Sequence, residues 1–226
     1  MSLFQFNADS LAWRMSLAQK IEDPVKKIIQ SAIISSCTVF VDTPDQSWTG
    51  SGFHIGDGYI VTASHVVPPV LEKQPHEIKV TFDGTKMYSV QLQISDPNVD
   101  AGIVKSDAIA KIIPSVQLGD SNTIEVGDII ACIGSPEGFH DTATVGRITN
   151  IHQTLGDQAP SKAWQDILFF DADILEGASG GMLIGTDSLV YGCVMGVTGE
   201  HADIGMGENA ACPSNKIKML LAQLQP

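Results

Sequence analysis

Gly177-Ala178-Ser179-Gly180-Gly181 sets a serine among glycines, an arrangement that can make a hydroxyl nucleophilic. Serine is a weak nucleophile at neutral pH and needs a neighbouring base, plus donors for the oxyanion that attack creates. Glycines let the backbone turn tightly enough for the amides of Gly177 and Ser179 to serve as that oxyanion hole. Alone, the pentapeptide fits a tight loop between two strands equally well. Two other segments add the missing chemistry. The β-branched run from Tyr59 to Val67 carries His65, whose ring, with an ordinary pKa of about 6.5, suits taking up and returning a proton. In the segment from Asp96 to Val104, Asp100 opens a short apolar strand. A partly buried carboxylate there would accept from the second ring nitrogen, hold the tautomer and stabilise the imidazolium. Asp96 is its nearest rival for that role.

The chain order is His65, Asp100, Ser179, the order of the chymotrypsin-like version of this constellation; subtilisin-like enzymes and α/β-hydrolases run differently. Further motifs follow in register. Gly50-Ser51-Gly52-Phe53 precedes Asp57 to Thr62, and Asp96 to Lys105 forms a second block. Gly119-Asp120-Ser121, Val126-Gly127-Asp128 and Ile133 to Gly138 come next. Asp171-Ala172-Asp173-Ile174 leads to the Ser179 pentapeptide, and Pro213-Ser214-Asn215 with Lys218 closes the series. In this order the motifs resemble the protease domain of the HtrA (Deg) branch of trypsin-like serine peptidases, from about Val25 to Leu221, with no PDZ domain following.

That resemblance implies an all-β fold of two packed six-stranded antiparallel β-barrels and a serine endopeptidase that works through an acyl-enzyme, in protein quality control or processing. It also implies an S1 pocket with Asp173 at its floor, six residues before Ser179, bordered by Thr198, Gly199 and Ala211. A buried carboxylate there would favour Lys or Arg at P1. HtrA proteases commonly carry a small residue at this offset and take small aliphatic side chains, so both preferences stay open. Ala178 departs from the usual Asn. Trypsin-like zymogens carry Asp there to pair with a newly cut N-terminus; alanine cannot, so no such activating cut is expected. HtrA relatives often trimerise through N-terminal aromatic residues, and Phe4, Phe6 and Trp13 could serve a homo-oligomer or simply pack into the core.

The elements that must position these side chains are legible in outline. Residues 1–35 read as an N-terminal helical segment, with Asp23-Pro24 opening a helix and Val25, Ile28, Ile29, Ala32 and Ile33 at helical spacing. Residues 36–113 read as the first barrel, with strands near 37–42, 51–55, 59–64, 78–82, 87–94 and 101–105. Residues 114–212 read as the second, with strands near 115–117, 128–134, 142–152, 167–173, 182–185 and 190–198. Residues 213–226 place Ile217, Leu220, Leu221 and Leu224 on one face of a C-terminal helix.

Composition bounds the partners. With 13 basic and 26 acidic residues among 226, the net charge is −13, which argues against nucleic acid or anionic membranes as partners; the expected partner is a polypeptide substrate. No stretch reaches the roughly 18 apolar residues that span a bilayer, and the first residues lack a basic, then apolar, export signal. Cys37, Cys132, Cys193 and Cys212 are scattered through strand-like runs and read as buried thiols, although a Cys193–Cys212 bridge is an alternative. Together these features point to a cytoplasmic setting. His54, His76, His140, His152 and His201 read as ordinary surface or loop histidines, with no metal site and no cofactor expected. Two other functions fit the same residues: a chaperone-like module that binds peptides with an inactive oxyanion loop, and a specialised maturation protease such as a viral one.

Overall fold

Strand-forming residues here alternate between two buried faces, and that pattern builds the framework around the site. The computed structural model describes residues 24–74, 76–135, 142–153, 162–197 and 209–224. Strands β1 (Ser36–Asp42), β2 (Ser47–Gly56), β3 (Tyr59–Thr62), β4 (Glu77–Thr81), β5 (Tyr88–Asp96) and β6 (Ala101–Lys105) close a barrel in the order β1-β2-β3-β6-β5-β4. Val39, Val41, Ile60, Val80 and Val104 fill its interior. Phe53, Val61, Ala101 and Ile103, facing the other way, form the seam with the second barrel. Burying each of the larger side chains stabilises the fold by about 1.5–3 kcal/mol. Because β3 and β6 are covered on both faces, they read as continuous apolar runs rather than alternating ones.

The second barrel consists of β8 (Ile129–Gly134), β9 (Thr142–Gln153), β10 (Ile167–Phe170), β11 (Met182–Gly185), β12 (Leu189–Val197) and β13 (Asn209–Pro213). Its order is β11-β8-β9-β10-β13-β12, closed by the β11–β12 pairing. Two expectations change. The segment near 115–117 is not a barrel stave: β7 (Gln117–Leu118) only adds in parallel to the edge of β12. The sixth stave is β13, whose Asn-Ala-Ala-Cys-Pro sequence shows no β-branched alternation. Small residues fit there because the neighbouring strand runs close; a Cβ on Gly192 would lie 3.1 Å from the Ala211 Cβ.

Helix α1 (Pro24–Ala32) buries Ile28 and Ala32 on the side of β8, and α2 (Ser214–Ala222) buries Ile217 and Leu220 on the side of β12 and β13, all within the apolar cluster that also fills the seam between the barrels. The expected helical residues before Pro24 lie outside the described residues. Helix α2 is anchored by two of the sequence motifs meeting. Ser214 Oγ donates to the Gly119 carbonyl at 2.8 Å, and Asn215 Nδ2 to Asp120 Oδ1 at 2.7 Å. This Asn215 bond is the main reason the Asp120 carboxyl sits below its ordinary pKa.

His54 is not the surface or loop residue expected. It is 1% exposed, its Nδ1 lies 3.0 Å from the Pro114 carbonyl, and its Nε2 accepts the Gly58 N–H at 3.2 Å. The hydrogen-bond pattern assigns the proton to Nδ1. The ring thereby clamps the β2–β3 turn to the connection between barrels.

Candidate active site

Where β3 ends at Thr62, a turn returns the Val66 N–H to the Ala63 carbonyl at 3.1 Å and leaves His65 at the barrel junction. Its side chain is 49% exposed, while that of Asp100 is only 13% exposed. Nδ1 of His65 lies 3.0 and 2.9 Å from the two carboxylate oxygens of Asp100. The backbone N–H of His65 also donates to Asp100 Oδ1 at 3.0 Å. One carboxylate therefore fixes both the ring and the backbone that carries it. Nδ1 is committed to donation, which leaves Nε2 free to act as the base. Asp100 sits at φ +51°, left-handed backbone that aspartate tolerates better than most residues. Its rival Asp96 is occupied differently: Asp96 Oδ1 accepts from the backbone and side-chain nitrogens of Asn98, both at 2.8 Å, and so builds the turn before β6.

Ser179 lies in the loop from β10 to β11, which is bonded to both barrels. The Ser51 N–H donates to the Ser179 carbonyl at 2.8 Å, and the Gly180 N–H to the Val194 carbonyl at 2.8 Å. Gly180 is at φ +90°, and a Cβ there would fall 3.0 Å from the nitrogen of Ala63, at the head of the turn that carries His65. The residue after the serine is thus packed against the turn that carries the histidine. The Ser179 hydroxyl itself donates to the Met195 carbonyl at a long 3.3 Å. Among the described residues it makes no hydrogen bond to His65. Such bonds often tighten only when substrate is present.

The backbone around the serine leaves two donors unused. Ala178 N–H donates to the Leu175 carbonyl at 3.0 Å, and Gly181 N–H to the Ala178 carbonyl at 2.9 Å. The Gly177 carbonyl accepts from Ser51 Oγ at 2.7 Å. Among the described residues the amides of Gly177 and Ser179 have no intramolecular acceptor, the condition an oxyanion hole requires. Gly177 takes φ +88°, which only glycine adopts at little cost.

Of the residues expected around S1, Asp173 and Ala211 are described. Asp173 is exposed and borders a cavity of about 350 Å³, together with Cys132, Gly134, Thr142, Thr144, Ile174, Leu175 and Ala178. The Asp173 carbonyl accepts from Thr144 Oγ1 at 2.6 Å. Ala211 is not at that cavity; it packs inside the second barrel beside Leu168 and Val194. Thr198 and Gly199 lie outside the described residues. Four residues at the site were not assigned a role from the sequence: Ser51, Thr62, Met195 and Gly196, where a Cβ would lie 4.0 Å from Ser179 Oγ. The Gly50-Ser51-Gly52 motif was the available signal, since a serine between glycines that close to His65 implies a tight approach.

The cysteines are buried and unpaired. Burial pushes the Cys132 and Cys212 thiols up to about 12, and raises Cys37 and Cys193 as well, so none is suited to be a thiolate nucleophile. Among the described residues no group of three or more His, Cys, Asp or Glu side chains could hold a metal ion, and no helix is long and apolar enough to cross a membrane.

Comparison with known proteins places this geometry in context. Residues 50–193 match the trypsin-like peptidase domain. A probable periplasmic serine endoprotease, DegP-like, of Chlamydia muridarum is 33% identical over 177 residues, 77% of this chain and 33% of the relative. A protein of the same description from Halomonas elongata is 36% identical over 144 residues, 63% of this chain and 28% of the relative. The chain thus spans about a third of the length of these curated relatives. The crystal structure of the serine endoprotease from Yersinia pestis superposes with a TM-score of 0.72 at 24% identity, covering 88% of this chain and 66% of that one. At that identity the likeness speaks for the fold. The cytoplasmic expectation is overturned: the DegP-like relatives are named periplasmic. The four free thiols lie buried, Cys193 opposite Cys212 on neighbouring strands, and burial of a thiol does not report the compartment.

Proposed function

The chain belongs to the trypsin-like peptidase domain family, and from that premise we propose that it is a serine endopeptidase acting through Ser179, His65 and Asp100. In this reading the Ser179 hydroxyl rotates from the Met195 carbonyl toward Nε2 of His65, which takes its proton as the oxygen attacks the scissile carbonyl. The Gly177 and Ser179 amides receive the oxyanion. His65 then protonates the leaving amine, and water, activated by the same ring, releases the acyl group. Asp100 holds the ring and its charge throughout. Substrate would be extended polypeptide added along the C-terminal end of β12, and the role would be HtrA-like quality control or processing. Trimerisation through Phe4, Phe6 and Trp13 belongs to the same reading and is tested by sedimentation.

The observation that carries the proposal is the pairing of His65 with Asp100 beside a serine loop that keeps the Gly177 and Ser179 amides free. The test is covalent labelling by a fluorophosphonate probe together with turnover of an unfolded protein substrate. Ser179→Ala is expected to abolish labelling and lower kcat by ~10⁴ or more. A second reading, a peptide-binding module that does not cut, is favoured by the resting contact of Ser179 with Met195 rather than His65. Absence of labelling in the unaltered protein would select it.

A further inference from the structure

We infer that Ser51 is a positioning residue for the oxyanion hole: its side chain and backbone together hold the nucleophile loop in register with the first barrel. This inference rests on the peptidase reading above. Ser51 is fully buried and lies in β2, on the opposite barrel from Ser179. Its hydroxyl donates to the Gly177 carbonyl at 2.7 Å and accepts the Ser135 N–H at 2.8 Å. Its own N–H donates to the Ser179 carbonyl at 2.8 Å, and its carbonyl accepts from Thr62 Oγ1 at 2.7 Å. Every polar group of the residue is thus occupied, and two of the four bonds end on the carbonyls that flank Ala178.

Those two bonds hold the peptide planes on either side of the one that carries the Ser179 N–H: the Gly177 carbonyl shares its plane with the Ala178 N–H, and the Ser179 carbonyl with the Gly180 N–H. Gly177 has no side chain to limit its torsions, so the plane following it is free unless its carbonyl is held. Ser51 Oγ supplies that restraint, and the Ser51 N–H supplies the corresponding one at Ser179. With both carbonyls fixed, and Ala178 tied to Leu175 and Gly181 at either end, the Gly177 and Ser179 N–H groups are left aimed without a partner of their own. The packing leaves little tolerance: a Cβ on Gly134 would lie 2.9 Å from Ser51 Oγ. The second end of the hydroxyl's bridge, Ser135, directly follows that glycine and the end of β8. The serine therefore ties three segments together: β2, the end of β8 and the nucleophile loop.

Ser51→Ala would remove the hydroxyl while keeping the backbone bonds. The expected result is a fall in kcat of about 10- to 100-fold, less than the 10²–10³-fold that follows loss of an oxyanion donor itself, with KM changed by no more than about twofold. A peptide aldehyde, which forms a tetrahedral adduct on Ser179, should weaken by the same factor, while the affinity of the cleaved product peptide should hold. The pH midpoint of kcat/KM should also hold, because the His65–Asp100 pair is untouched. A purely structural role would lower the unfolding midpoint without separating the aldehyde from the product peptide, and that outcome overturns the inference. Should Ser51→Ala fail to fold, Gly134→Ala displaces the same hydroxyl without deleting it and must give the same separation; unchanged aldehyde affinity there also overturns it. An unaltered protein that neither labels with fluorophosphonate nor cuts peptide overturns the peptidase reading and this inference with it. Turnover by the unaltered protein with an indifferent Ser51→Ala overturns this inference alone.

Discussion

Replacing Gly180 by alanine tests whether the nucleophile loop depends on contact between the two barrels. Gly180 sits at φ +90°, and a Cβ there would lie 2.1 Å from the Ser51 carbonyl oxygen, 2.5 Å from Thr62 Oγ1 and 3.0 Å from the Ala63 nitrogen. Thr62 Oγ1 can turn aside, but the carbonyl belongs to the central part of β2 and cannot. An L-residue in left-handed backbone costs roughly 1–2 kcal/mol. Moving the loop by the ångström or so needed to relieve the contact also stretches two bonds, Ser51 N–H to the Ser179 carbonyl at 2.8 Å and Ser51 Oγ to the Gly177 carbonyl at 2.7 Å. At about 1 kcal/mol each, the expected destabilisation is about 3–4 kcal/mol. Urea unfolding should show it as a lower midpoint at unchanged slope. Hydrolysis should fall by about 100-fold or more, as it does when reacting groups are misplaced by about 1 Å. A stability loss below about 1 kcal/mol with turnover intact would refute the argument, since it would mean that the loop can shift freely away from β2.

Asp100→Asn keeps a residue that tolerates left-handed backbone but presents an amide to Nδ1, so the ring is driven to the wrong tautomer. Turnover should drop by about 10⁴-fold, about 5.4 kcal/mol at 1.36 kcal/mol per decade, with the urea midpoint little changed; a loss under tenfold in steady-state assays would argue that Asp100 does not orient the base. The buried thiols give a pH prediction. Their folded pKa values are raised, to about 12 for Cys132 and Cys212, against about 8.5 in an unfolded chain. Their contribution to stability is therefore complete below about pH 8.5 and is lost progressively as pH rises toward about 12. Urea midpoints measured across that range should fall, and a Cys132→Ala, Cys212→Ala double variant should fall less steeply. Thiol reagents at pH 8 should leave all four cysteines unmodified until denaturant is added; fast reaction of the native protein would contradict their burial.

Much of this site was legible from short stretches of chain. The β-branched run ending at His65, the aspartate opening β6 and the glycine-bracketed Ser179 each identify themselves by local chemistry, and their order narrows the fold. The apolar spacing of Ile28 and Ala32, and of Ile217 and Leu220, likewise marks helix faces, and the structure buries those residues. Misreadings fell where local pattern is silent. Strand β13 is built of small residues because it lies close to β12, so no alternation announces it. His54 looks like any loop histidine until the connection between barrels closes over it. Of the residues expected beside Asp173, Ala211 is turned into the barrel interior.

Residue types, their torsional preferences and their spacing settle the chemistry available and which face of each element goes inward, because those properties act over a few residues. Docking of the two barrels settles the rest. Ser51 reaches the carbonyl of Gly177 across 126 positions of chain, and Gly180 meets the turn that carries His65 only once the seam is packed. Hydrogen bonds act over a few ångströms, so contacts between distant residues exist only after the buried apolar faces have drawn their strands together.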